Sequence, residues 1–179
     1  MLSLLIASML VTGGLDAGGH VGILFPASGL ENSHSSTALF GLNLGYETGR
    51  SRLALDYGYA GLKAKQASPY RFDVNELSLG YGYEFARSQP APGSGSNWGF
   101  DAWAAAGYSL LRRTLGSARE TGNAPAGHVA IGFFQRQGHS RLSLGLDNVI
   151  FVESQPAGGT RTVSLTYLIA LKAGVTYVF

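Results

Sequence analysis

Lys172-Ala173-Gly174-Val175-Thr176-Tyr177-Val178-Phe179 closes the sequence as an alternating apolar strand that stops on an aromatic ring. Final residues of soluble domains are usually polar and frayed, because nothing rewards their burial. Here Ala173, Val175, Tyr177 and Phe179 share one face, and Gly174, Thr176 and Val178 share the other. The same period of two runs back along the chain. Val163, Leu165, Tyr167, Ile169 and Leu171 oppose Ser164, Thr166, Ala170 and Lys172.

Further upstream, six more stretches alternate in the same way. Leu142, Leu144, Leu146, Ile150 and Val152 form an apolar face in which Asn148 is the one polar intruder. Val129, Ile131 and Phe133 face away from His128, Ala130 and Gly132. Phe100, Ala102, Ala104, Ala106, Tyr108 and Leu110 alternate with Asp101, Trp103, Ala105, Gly107 and Ser109. Strands are also expected around Leu77–Phe85, Leu53–Ala60 and Leu39–Tyr46, and a weaker first one over His20–Ala27. Turn residues separate them, notably Thr48-Gly49-Arg50-Ser51, Ser88 to Asn97, Gly116 to Ala126, Gln137-Gly138-His139-Ser140 and Glu153 to Thr160. Eight strands with seven short connections give an all-β, eight-stranded antiparallel up-and-down meander.

The chemistry of the two faces decides where such a sheet resides. In a soluble barrel the apolar face points inward and the other face carries many charges. Here the second face is mostly Gly, Ala, Ser and Thr with isolated ions, whereas the apolar face is continuous and rich in aromatics. An inverted, transmembrane β-barrel accounts for both, with Leu, Tyr and Phe toward lipid and small residues toward a narrow lumen. Backbone groups in lipid must all be paired, so the sheet has to close. An even strand number then leaves both chain ends on one side, the periplasmic one. Two aromatic belts are expected: Tyr46, Tyr83, Phe85, Trp98, Tyr177 and Phe179 at that side, and Tyr57, Tyr59, Tyr70, Phe72, Tyr108 and Tyr167 at the other. In this register Glu47, Arg52, Asp56, Glu76, Glu84, Asp101, Arg136, Arg141, Asp147 and Lys172 point inward. Buried unpaired, each would be costly, so they should pair across the lumen, Lys172 with Asp147 or Asp56. Trp103 would help to plug the interior.

Composition is consistent with this reading. The chain has 179 residues, 26 of them Gly, and only 13% are charged, against about 25% in soluble domains. Cysteine is absent, which excludes disulfides and thiol chemistry, and a net charge of +2 with scattered basic residues leaves no nucleic-acid footprint. Residues 1–18 read as an export signal, with the apolar run Met1 to Val11 and small residues near Ala17, although no Lys or Arg precedes Arg50. A buried N-terminal strand or helix is the alternative. Residues 19–179 would then be the barrel.

Lys172, Gly174, Tyr177 and Phe179 occupy the four places of the C-terminal assembly signal of bacterial outer-membrane barrels, which this segment resembles. With the eight alternating strands, the chain resembles the small OmpA/OmpX/OmpW-like outer-membrane β-barrels. That resemblance implies a Gram-negative cell envelope, contact with outer-membrane lipid and lipopolysaccharide, insertion by the barrel-assembly machinery, and a monomer. Family roles include surface interaction, membrane anchoring and narrow channels, and no extracellular ligand is identifiable. A structural or surface-interaction role is expected, with a narrow channel for small or apolar solutes as the alternative and a lipid-modifying enzyme third. The outer connections look modest, Leu111 to Ala126 being the longest. His34-Ser35 and His139-Ser140 are the only adjacent His-Ser pairs, and neither has an enzyme's sequence context. His20, His34, His128 and His139 lack zinc-site spacing. No catalytic residue, metal ligand or cofactor is expected.

Overall fold

A computed structural model describes residues 13–28, 30–65, 70–89, 95–157 and 160–179, with backbone alone for 153–157 and 160–163. The alternating segments form eight strands: β1 Gly14–Pro26, β2 Thr37–Thr48, β3 Ser51–Leu62, β4 Arg71–Arg87, β5 Ser96–Leu115, β6 Ala118–Gln137, β7 Ser140–Ala157 and β8 Thr160–Val178. Each pairs antiparallel with the next, and β8 pairs back onto β1 from Asp16↔Val178 to Pro26↔Leu168. The result is a closed up-and-down barrel. A one-turn helix, α1 (Leu30–Ser33), lies between β1 and β2. The tight turns at the end where β1 starts use Gly49 and Gly138, whose φ angles of +61° and +57° suit a residue without Cβ.

Leu42, Val129 and Ile131 are 66%, 61% and 62% exposed, and lie on the outer face with the other large apolar side chains of the alternating series. The inner face is kept thin by small residues. A Cβ at Gly80 would run into the Trp103 indole and into Ala105, and one at Gly82 would sit 2.9 Å from the same indole. Glycine there makes room for Trp103 inside the lumen.

Several expectations shift. β1 opens at Gly14, five residues before the expected start of the barrel, because Asp16 has an ion-pair partner inside it. The export signal expected over residues 1–18 lies largely outside the described residues. Leu111 to Ala126 is a hairpin and not a loop: β5 and β6 stay paired to Leu115↔Ala118, around Gly116 at φ +57°. Residues 153–157 and Thr160 likewise belong to β7 and β8, paired to Ala157↔Thr160. The β6–β7 ladder, however, stops at Ala126↔Phe151, so the two hairpins part from each other there, while β5 stays paired with β4 to Arg71↔Thr114. Phe72 does not join an aromatic belt; it points inward and is buried. Tyr70 packs on the same interior cluster.

Candidate functional site

The lumen is built in three layers. At the end where β1 starts, arginines and acids alternate. Arg52 donates from Nη2 to Asp16 Oδ1 at 2.5 Å, from Nε to Asp16 Oδ2 at 3.0 Å, and from Nη2 to Asn43 Oδ1 at 2.6 Å. Arg136 bonds Glu47 and, at 3.1 Å, Glu84. Arg141 reaches Glu84 at 2.9 Å and also bonds Asp101, while its guanidinium stacks 4.2 Å from the centre of the Phe134 ring. Arg87 bonds Glu84 as well and donates to the Gly49 carbonyl at 3.0 Å. Residues three apart on a strand normally face opposite sides. A bulge between Glu84 and Ala86 supplies the extra residue that lets Glu84 and Arg87 meet.

The middle layer is polar and hollow. Lys172 Nζ lies 2.6 Å from Asp147 Oδ2. His128 sits between two carboxylates, Nδ1 3.1 Å from Asp147 Oδ2 and Nε2 bonded to Glu76. His20 Nδ1 stands 3.6 Å from Asp56 Oδ2, and its Nε2 is buried without a partner. A cavity of about 140 Å³ lies among His20, Arg52, Asp56, Trp103, Asp147 and Lys172. It is polar and roomy enough for water.

Above it the lumen turns apolar. Leu24, Leu39, Leu62, Phe72, Val74 and Phe151 are among the side chains that fill it, all buried. These residues lie near the far ends of their strands, on the face opposite the lipid-facing series. A cavity of about 30 Å³ lies between this plug and the polar layer. The β1–β2 connection folds over one side: Leu30 packs on the plug, Ser35 N donates to Lys63 O, and Lys65 N donates to Ser33 O. Fully buried His34 fastens it, donating from Nε2 to the Tyr70 carbonyl at 3.1 Å and accepting at Nδ1 from Ser33 Oγ at 2.8 Å. Burial, reinforced by the Arg113 charge and opposed by the Tyr70 hydrogen bond, pulls the His34 imidazole below its usual pKa. Arg113 lies over the Phe72 ring, 5.4 Å from its centre.

The ten charges read as inward-pointing lie in the lumen; nine of them have an ion-pair partner, and Asp56 faces the His20 ring at 3.6 Å. Four groups escaped the sequence reading. Asp16 fell within the segment assigned to export, and Arg87 is turned inward only by the bulge. His20 and His128 stand on the inner face by alternation, but their pairing with acids of other strands left no local signal. In the terminal segment Lys172 faces the lumen, while Tyr177 and Phe179 lie outside, edge to face at 5.2 Å. His139 donates from Nδ1 to the Val178 carbonyl at 2.9 Å and stacks on Tyr177, 5.7 Å between ring centres. Among the described residues no three His, Asp or Glu side chains are placed to share a metal ion.

No protein-family model and no curated protein matches the sequence. Solved structures do resemble it. Neisserial surface protein A aligns over 93% of this chain and 97% of its own, with a TM-score of 0.67 at 19% identity. The N-terminal β-barrel domain of Pseudomonas aeruginosa OprF covers 92% and 98%, with 0.57 at 16%. Ail, the attachment invasion locus protein of Yersinia pestis, covers 93% and 97%, with 0.51 at 8%. The chain therefore has the fold of the small eight-stranded outer-membrane β-barrels.

Proposed function

We propose that the protein is an integral, non-enzymatic barrel of the bacterial outer membrane, with a structural or surface-contact role and a lumen that does not conduct. The observation that carries this reading is the double closure of the lumen. The Arg141–Glu84–Arg136–Glu47 lattice fills one end and the buried Phe72–Phe151 cluster fills the other, while the apolar side chains of the alternating outer series are exposed. Such a surface suits hydrocarbon and would aggregate in water. The end bearing Gly14 and Val178 is assigned to the periplasm, and the β5–β6 and β7–β8 hairpins to the exterior, where they offer the contact surface. Lipid and lipopolysaccharide would surround the belt, and the assembly machinery would read Lys172, Gly174, Tyr177 and Phe179.

A second reading, a narrow channel for small or apolar solutes, is favoured by the apolar outer half of the lumen above a polar chamber. Conductance of purified barrel in planar bilayers separates the two. The sealed reading expects no steady current, and a steady current would replace it with the channel. A heat-modifiable gel shift, with unboiled protein migrating faster than boiled, tests the membrane barrel itself.

A further inference from the structure

The outer wall is not evenly filled. Where β8, β1, β2 and β3 run side by side, a groove of about 540 Å³ opens outward, lined by Val21, Phe40, Leu42, Tyr57, Tyr59 and Val175. Gly19, an outward position without a side chain, opens it between Leu42 on β2 and Val175 on β8. Its size falls within the roughly 300–1,000 Å³ of sites that take small apolar ligands. The rim on β3 is held by polar groups of β4. Tyr57 Oη donates to Asn75 Oδ1 at 3.1 Å, which gives the outward Asn75 a partner. Arg71 Nη2 donates to Tyr59 Oη at 3.2 Å, and Arg71 Nε donates to Asp73 Oδ1 at 2.7 Å. Both rings are thus fixed before any ligand arrives. The Arg71 guanidinium lies back over β3 at the exterior end of the groove, on Gly61, where a Cβ would stand 2.9 Å from Nη2. Asp73 occupies one edge of the fork, and among the described residues Nη1 has no partner.

We propose that the groove and Arg71 together bind one membrane lipid with an anionic phosphate, its acyl chain in the groove and its phosphate against the free edge of the guanidinium. The two parts select the occupant jointly. The guanidinium fork suits a phosphate oxygen pair, and it is half-exposed at the level where headgroups lie. Exposed Arg112 on β5 stands opposite Asp73, so two arginines flank one carboxylate and the patch is net positive. A free phosphate has no chain to fill the apolar part. A protein segment would bring backbone groups that this wall cannot pair. The site rests on the membrane reading above and names the class of lipid it selects.

The test is native mass spectrometry of barrel folded in detergent micelles that hold equal amounts of phosphatidic acid and phosphatidylcholine. Folding is read in the same samples from the heat-modifiable shift. The native barrel is expected to carry one lipid, with phosphatidic acid about threefold over phosphatidylcholine. Arg71→Gln should abolish the preference. Gly19→Leu should abolish it too, by filling the groove; its Cβ meets only ordinary contacts, 3.4 Å from the Gly41 carbonyl and 3.5 Å from Leu42 Cδ2. Val21→Trp enlarges a side chain already 55% exposed and fills the groove a second way. Attraction of phosphate to surface charge alone would survive both filling variants, and that survival would overturn the site. A folded native barrel without the preference, or one unchanged in Arg71→Gln, would overturn it as well. A native chain that shows no heat-modifiable shift removes the membrane reading, and the site with it.

Discussion

Arg141 of β7 and Glu84 of β4 meet inside the barrel at 2.9 Å, two side chains from strands three apart in the ring. Both are nearly inaccessible, at 6% and 3% exposure. Removing Arg141 takes one of three arginines from Glu84 and the ion-pair partner from Asp101 in a poorly solvated place. Arg141→Ala is expected to destabilise the barrel by about 3–5 kcal/mol, read as a shift of the urea midpoint for unfolding from vesicles. Adding Asp101→Asn should recover part of that loss, and no recovery would mean that Arg141 acts mainly through its stacking on Phe134.

The two closures act in series, so opening either alone should leave the lumen shut. Phe72→Ala removes a buried ring of the plug and is expected to cost about 3–5 kcal/mol, yet to give no current in a planar bilayer. Arg141→Ala should give none either. The double variant should conduct. Current in either single variant would locate the barrier in one layer only.

His34 makes the external lid respond to acid. Burial favours its neutral form, so the folded loop binds a proton less readily than the opened loop. The stabilisation is complete above the ordinary histidine pKa of about 6.5 and is lost as pH falls below it. Amide exchange of residues 30–36, corrected for its intrinsic pH dependence, should therefore accelerate between pH 7.5 and pH 5. His34→Gln should abolish that pH dependence.

Phe179 is 72% exposed and touches chiefly Tyr177, so its ring adds little to the finished barrel. Phe179→Ala is expected to shift the urea midpoint of refolded protein only slightly. The yield of heat-modifiable barrel in cell membranes should fall several-fold. Equal losses in the two measurements would mean that the ring serves stability and not recognition during assembly.

The period of two was enough to read strand number, connectivity and the two faces, because a closed barrel leaves every strand with one lipid-facing and one lumen-facing series. It also placed Lys172 and Asp147 on the inner face, where they meet at 2.6 Å. The interior plug was harder to see. Leu39, Leu62 and Phe72 look like ordinary strand ends, and which of them fill the mouth depends on how eight strands converge there. The hairpin beyond Leu111 was obscured for another reason. Its Thr121-Gly122-Asn123-Ala124-Pro125 run carries turn residues, and pairing with β5 holds them extended regardless. Local preference gave way to the ladder.

β8 pairs with β1 as well as with β7, and the Phe179 amide donates to the Leu15 carbonyl at 2.8 Å. β1 thus waits for β8 before its outer hydrogen-bonding edge is satisfied. A chain halted after seven strands has two open edges and no ring, so this barrel cannot close before β8 has been made. Whatever keeps the growing polypeptide from sticking to its neighbours must hold it until Val178 arrives.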